Sequence, residues 1–319
     1  MRAPRSHEML VRAARLYYLE DMSQGDIAKA LGLSRSSISR MLTAARERGI
    51  VEIRIHVPGV LTRVPDLESA LCGAFPIRAA TVVARVKSRA PIDLVGEAAA
   101  QVFDERAPHL TAFGISWGLT VDRFVEQVPV APVHRALVIC PLSGGQPSDT
   151  GRAGHTAMEV LAEHTGATSF RFECPAVVES RQTWSALSRE SSIVNAIRRA
   201  CQVEFAVVGI GSAGQHNSRR VAAAMRLSEA ESREFTDQEP AGDICGRFYD
   251  IDGRELGLPT SERVIGISLD QLRAVPEVMG LAAGVEKAKG VVGALRTRTL
   301  DSIVVDEDLA RAVLEIAGG

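Results

Sequence analysis

Apolar positions in the first fifty residues recur at helical spacing in three successive blocks. From about Ser6 to Asp21, Leu10, Val11, Ala14, Leu16, Tyr17 and Tyr18 fall near one helical face with charges between them, which predicts a helix. Ser23 is placed to cap a second helix carrying Ile27, Ala28 and Leu31. Gly32 supplies a turn, and Leu33 is expected to plug the core beneath it. Ser34 then caps a third helix running to about Arg48, with Ile38, Met41, Leu42 and Ala45 on its inner face. Gly49 ends that helix, and Val51 to Val57 alternates apolar and polar residues like a strand.

Past Pro58-Gly59 and Pro65 the pattern changes. Short apolar runs at Ala80–Ala84, Thr111–Ile115, Ala136–Pro141, Phe205–Ile210, Arg263–Ile267 and Ser302–Val305 predict strands. Helical stretches fall between them, among them Ile92–Glu105, Thr156–His164, Gly284–Leu295 and Glu307–Ile316. Strands alternating with helices of this length predict an α/β fold whose mostly parallel sheet is covered on both faces. The expected organisation is a small domain over 1–57, a linker over 58–65 and a large domain over 66–319.

Composition narrows the class. The chain has 319 residues, of which 46% are hydrophobic and 24% charged, as in ordinary globular proteins. No apolar run approaches the roughly 18 residues that span a bilayer. The N-terminus carries arginines without an apolar signal core, so a cytoplasmic location and no membrane partner are expected. The five cysteines are scattered without a CxxC, and the seven histidines show no HxxxH or HExxH spacing. Reduced thiols and no metal site are expected. Net charge divides unevenly, with a balance of +4 over residues 1–57 and −6 over the remainder. A basic head on an acidic body suits a small nucleic-acid module joined to something that does not touch DNA.

The segment Gln24 to Arg40 has the grammar of a helix-turn-helix. Ala28 lets two helices cross closely, Gly32 takes the sharp turn, and Ile27, Leu31, Leu33 and Ile38 are expected to share one core. Left outward on the second helix are Arg35, Ser36, Ser37, Ser39, Arg40 and Thr43, short hydrogen-bonding or basic side chains that suit a helix entering the major groove. Gln24 at the start of the first helix joins this set. Ser34 and Ser36 are candidates for phosphate contacts, Arg35 and Arg40 for phosphate or guanine. Arg46 and Arg48 run into the following strand, which resembles a small wing, and are candidates for backbone phosphates. The partner implied is double-stranded DNA.

In the large domain, Gly114 to Thr120 follows an apolar strand and opens a helix, which is where open α/β sheets bind ligands. Gly114 and Gly118 permit close backbone approach, Ser116 and Thr120 offer hydroxyls, and Trp117 offers an apolar wall. The segment is not GxGxxG, so a dinucleotide cofactor is not expected. Ser143, Gly144 and Gly145 follow a second strand and Gly209 to Ser212 a third, so both could line the same crevice or be strand-ending turns. Asp243 could accept ligand hydroxyls or cap a local turn. Lys287 lies in the first turn of a predicted helix, where a cation opposes the macrodipole and a bound anion would relieve the conflict.

Over nearly its whole length the chain resembles the SorC-type sugar-binding transcriptional regulators. The resemblance begins with Gln24, Ile27-Ala28, Leu31-Gly32-Leu33-Ser34, Ile38-Ser39-Arg40, Arg46 and Gly49-Ile50-Val51. It continues through Gly114 to Thr120, Gly209 to Ser212, Gly242-Asp243-Ile244, Phe248-Tyr249-Asp250 and Gly253. It closes with Ala283 to Ala288 and with Leu300, Val304 to Glu307 and Ala310. This implies a Rossmann-like effector domain behind a winged helix-turn-helix, a homodimer or homotetramer, and DNA affinity controlled by a sugar or sugar phosphate. The effector residues implied are Gly114, Ser116, Trp117, Gly118, Thr120, Ser143, Gly144, Gly145, Gly211, Ser212, Asp243 and Lys287. The chain departs from several family members in having no arginine in the loops 117–120 and 142–145, so an unphosphorylated sugar, or phosphate held by Arg219 or Arg220, stays open. The competing class is a sugar-phosphate isomerase or deaminase with a DNA-binding head, using Asp243 or Asp250 as base. No paired carboxylates or His–carboxylate spacing support it, and no catalytic residue is expected.

Overall fold

The computed structural model describes residues 7–20, 22–48, 50–51, 61–130, 137–145 and 156–318. The chain divides into two compact units, residues 1–60 and 61–319.

Among its described residues the first unit forms three helices, α1 (His7–Tyr18), α2 (Gln24–Leu31) and α3 (Arg35–Glu47). Local chemistry sets the joints. The Ser23 hydroxyl accepts the Asp26 amide at the start of α2, and the Ser34 hydroxyl accepts the Ser37 amide at the start of α3. Gly32 takes φ +63°, the left-handed geometry that ends a helix at little cost to glycine. Leu10, Ala13 and Ala14 of α1 meet Ile27 and Ala28 of α2 and Ile38, Met41, Leu42 and Ala45 of α3 in one apolar cluster. Leu33 departs from expectation: it is 38% exposed and outside that cluster. The left-handed turn at Gly32 hands the chain straight to the cap of α3, and Leu33 is tied by its amide to the Ala28 carbonyl instead of by its side chain to the core. The strand expected over 51–57 lies outside the described residues beyond Val51.

The second unit opens with α4 (Pro65–Ala74), β1 (Ala79–Val83), α5 (Pro91–Arg106), β2 (Ala112–Ile115), α6 (Leu119–Gln127) and β3 (Val138–Pro141). It continues with α7 (Thr156–Thr165), β4 (Thr168–Ser169), α8 (Arg181–Leu187), α9 (Ser191–Ala200), β5 (Phe205–Ser212), α10 (His216–Ala224) and α11 (Glu229–Asp237). Last come the pair β6 (Gly242–Ile244) and β7 (Arg247–Tyr249), α12 (Leu269–Arg273), β8 (Glu277–Ala282), α13 (Ala288–Arg296), β9 (Ser302–Asp306) and α14 (Glu307–Gly318). The main strands pair in parallel in the order β1-β9-β8-β5-β2-β3-β4, and the antiparallel β6–β7 hairpin extends from β5. The sheet separates two large apolar clusters, one including α4, α13 and α14 and the other including α5, α6 and α7. This is the expected doubly covered α/β architecture.

Three segments differ from the sequence reading. Arg263–Ile267 makes no sheet strand; Val264 and Gly266 form isolated bridges to Val177 and Ser143, and the buried Arg247 guanidinium donates to the carbonyls of Ser261, Val264, Gly266 and Ile267. β8 was not anticipated, although it pairs with both β5 and β9. Residues 61–64, expected in a linker, are fastened to the sheet: Arg63 bridges to Val83, and the Val64 amide donates to the Val82 carbonyl.

One contact sets the level at which α13 sits. A Cβ on Gly290 of α13 would stand 2.5 Å from the Gly211 carbonyl oxygen, and one on Gly242 would stand 2.5 Å from the same atom. Glycine at 290 and 242 lets the helix lie directly on backbone at the end of β5, and glycine at 211 leaves room for the Asp243 carboxylate and the Ser218 hydroxyl.

Candidate functional site

The strand order reverses direction between β2 and β5. Chain after β2 moves outward through β3 and β4, whereas chain after β5 moves the other way through β8 and β9. Crevices at such points, beside the carboxyl ends of the strands, are where open α/β sheets take ligands. A cavity of about 300 Å³ lies here. Its walls come from the end of β2 with the start of α6 (Trp117, Gly118, Leu119, Thr120), the end of β5 (Gly209 to Ser212) and the start of α10 (Gln215 to Ser218). Asp243 and Cys245 of the hairpin, the segment Ala283 to Lys287 apart from Val285, and Pro91 with Ile92 complete it.

Of the candidate effector residues, Trp117, Gly118, Thr120, Gly211, Ser212, Asp243 and Lys287 meet at this cavity. Lys287 caps α13 and donates to the Thr120 hydroxyl oxygen at 3.5 Å. Burial lowers its pKa from the ordinary lysine value, while Glu286, Asp243 and Asp306 oppose that shift. Asp243 is wholly buried, and desolvation raises its pKa against the pull of Ser218, the Gly246 amide and Lys287. Its oxygens accept from the Ser218 hydroxyl and, at 3.1 Å, from the Gly246 amide. The carboxylate therefore caps the hairpin turn and lines the cavity at once. The Ser212 hydroxyl donates to the Glu286 carbonyl at 3.4 Å.

Gly114, Ser116, Ser143, Gly144 and Gly145 stand outside the lining. Gly114 lies inside β2 against Leu142, Val203 and Ala206. The Ser116 hydroxyl is buried and accepts the Gly209 amide at 3.0 Å, which ties β2 to β5. Ser143 accepts the Trp117 indole N–H at 2.9 Å and so orients the wall rather than facing the space. Gly144 is filled in by the backbone of Cys174 and Pro175, and Gly145 bridges to Pro175. Arg219 and Arg220 are exposed on α10 and do not line the cavity. Asp250 is also elsewhere, accepting the amides of Asp252 and Arg254 in a turn.

Sequence reasoning missed Gln215 to Ser218 and Pro91-Ile92. His216 stands 3.8 Å from Glu286 at φ +32°, and Cys245 lines the same space at φ +54°. Two non-glycine residues in the left-handed region on one cavity mark a backbone held by its surroundings. The strand-ending Gly211-Ser212-Ala213-Gly214 was the available signal for the first of these. Among the described residues no group of three or more His, Cys, Asp or Glu could hold a metal ion, and no helix is long and apolar enough to cross a membrane.

In the first unit, α3 turns Ile38, Met41, Leu42 and Ala45 inward and leaves Ser34, Arg35, Ser36, Ser39, Arg40, Thr43 and Arg46 exposed. Ser37 is half-buried and accepts from the Ser34 hydroxyl at 3.0 Å, so it closes the cap instead of facing outward. Arg40 donates to the Ser36 carbonyl at 3.2 Å, and Thr43 to the Ser39 carbonyl at 3.2 Å. Gln24 is half-buried at the start of α2, and Arg48 is exposed at the end of α3.

Comparison with known proteins agrees with both units. The family model described as "Putative sugar-binding domain" matches residues 61–315, and that of the crp family of bacterial regulatory proteins matches residues 21–51. The sorbitol operon regulator of Klebsiella pneumoniae is 29% identical over 311 residues, spanning 96% of this chain and 98% of that one. The transcriptional regulator LsrR of Enterobacter is 29% identical over 317 residues, spanning 98% and 94%. The crystal structure of full-length SorC from Klebsiella pneumoniae aligns with a TM-score of 0.71 at 29% identity, covering 97% of this chain and all of that one. With the family model covering most of its length, this chain belongs to the family of sugar-binding transcriptional regulators.

Proposed function

We propose that α3 enters the major groove of operator DNA and that a sugar or sugar phosphate in the cavity between β2, β5 and β8 controls that binding. The observation that carries the effector half is the placement of Lys287 against Thr120. A cation at the start of α13 and a hydroxyl at the start of α6 converge beside two helix N-termini, an arrangement that favours a polar or anionic group. Trp117 and Ile92 offer apolar surface to the carbon faces of a sugar ring, and Asp243 and Ser212 offer polar atoms to its hydroxyls. The relatives named for a sorbitol operon support a carbohydrate operon as the target.

On the DNA side, Arg35, Ser36, Ser39, Arg40 and Thr43 read or hold the duplex, and Arg46 and Arg48 meet its backbone phosphates. The protein acts as a homodimer or homotetramer in the cytoplasm. A binding role, not catalysis, is favoured by the relatives, which are named as regulators.

The test is binding to the intergenic DNA upstream of the gene itself at fixed salt. It is run with and without D-sorbitol, D-glucose 6-phosphate, D-fructose 6-phosphate and 2-deoxy-D-ribose 5-phosphate. Tight specific binding altered by one compound is expected. Absence of specific binding under every condition overturns the reading.

A further inference from the structure

Asp306 ends β9 and is only 4% exposed. Its two oxygens reach different parts of the molecule. Oδ2 accepts the Gly284 amide at 2.8 Å, in the loop that lines the cavity. Oδ1 accepts the Leu309 amide at 3.1 Å, in the first turn of α14. Gly284 sits at φ +99° and its carbonyl accepts the Lys287 amide at 3.1 Å. Beyond the carboxylate, Leu309, Ala310 and Val313 of α14 share an apolar cluster with Leu67 and Leu71 of α4. α4 is the first helix of the second unit, which begins at Leu61.

We propose that Asp306 is a positioning residue that couples occupancy of the cavity to α14 and α4, at the end of the effector unit where the chain arrives from the DNA-binding unit. This rests on the cavity being the effector site. When the backbone at Lys287 shifts with a bound group, the Gly284 carbonyl shifts with it through their hydrogen bond, and the amide of the same residue, held by Asp306, is displaced in turn. Asp306 then either follows, shifting the α14 cap, or loses a donor while buried. A lost donor leaves a desolvated carboxylate oxygen, which is the costlier alternative. The cap therefore tracks the cavity loop, and α14 passes the shift to α4 through close-packed side chains.

A double-substitution cycle read by amide hydrogen exchange on the full chain tests this without operator or effector. The perturbation at the cavity is Lys287→Met. The link is cut by Asp306→Ser, whose hydroxyl still caps the Leu309 amide but is too short to hold Gly284 as well. Asp306→Asn, of equal size with one acceptor oxygen, replaces it should the serine variant not fold. Lys287→Met is expected to change exchange at Leu309 and Leu71 about fivefold when Asp306 is present, and by less than about twofold when it is substituted. A purely structural Asp306 would lower the melting temperature yet leave the effect of Lys287→Met intact. An equal response in both backgrounds, or no response at Leu71 with Asp306 present, overturns the proposal. Failure of the effector reading shows separately, in the operator-binding experiment.

Discussion

The ammonium nitrogen of Lys287 stands 3.5 Å from the Thr120 hydroxyl oxygen, joining the cap of α13 to the first turn of α6 across the end of β5. The two residues follow β8 and β2, which flank β5 on either side. Substituting either one should therefore affect the cavity and leave α3 untouched. Lys287→Met is expected to weaken binding of the compound identified in the operator assay about ten- to hundredfold, as loss of a hydrogen bond to a charged group implies. Operator affinity without that compound should change by less than the affinity for the compound does. Titration of Trp117 fluorescence and operator binding measure the two quantities.

The lowered pKa of Lys287 has a sign that can be tested through stability. Its charged form is disfavoured by burial in the folded state, so between the folded pKa and the ordinary value near 10.5 the unfolded chain holds more protons. Stability of the parent should rise with pH through that window relative to Lys287→Met. At neutral pH the variant is expected to melt higher than the parent, with the gap closing as pH approaches 10.5. A gap that widens with alkaline pH would contradict the assigned burial.

Arg40 is exposed on α3 and braced by its hydrogen bond to the Ser36 carbonyl. Arg40→Ala is expected to weaken operator binding by about 1–3 kcal/mol if it reads a base, with specificity relaxed at one position. If it holds a phosphate, binding falls across all sequences and the salt slope drops by about one. Fluorescence anisotropy at three salt concentrations separates the two. Parent-like affinity would remove Arg40 from the interface.

Ser34→Ala removes the hydroxyl that accepts the Ser37 amide and engages both Ser36 and Ser37. The expected loss is about 1 kcal/mol of stability in the first unit. Circular dichroism melting should show it, and Ser34→Asp should recover most of it.

Much of this was legible because it is local. Ser23, Gly32 and Ser34 act on backbone within three or four residues, so the helix-turn-helix could be read directly. Trp117 to Thr120 and Lys287 were legible as strand-end and helix-start chemistry. β8 was not, because Glu277–Ala282 is buried on both faces past its first residue and carries Gly280, against which Leu300 and Ile210 pack. A strand of that kind shows no alternation. Ser143 to Gly145 had the same local grammar as the true lining. Only the fold brings Cys174-Pro175 and Gly266 into the space beside them. His216 and Cys245 reach the cavity from helix α10 and the β6–β7 turn, whose meeting no short segment encodes.

The close seating of Gly290 on the Gly211 carbonyl, with Gly242 beside it, also constrains how this fold can change. A methyl group on Gly290 or Gly242 would push α13 off the end of β5, and one on Gly211 would collide with the Asp243 carboxylate and the Ser218 hydroxyl. Rim residues face no such limit: Leu119 is 52% exposed and His216 is open to solvent. New side chains can therefore be taken up at the mouth of the cavity, while the seat of α13 on the end of β5 stays fixed.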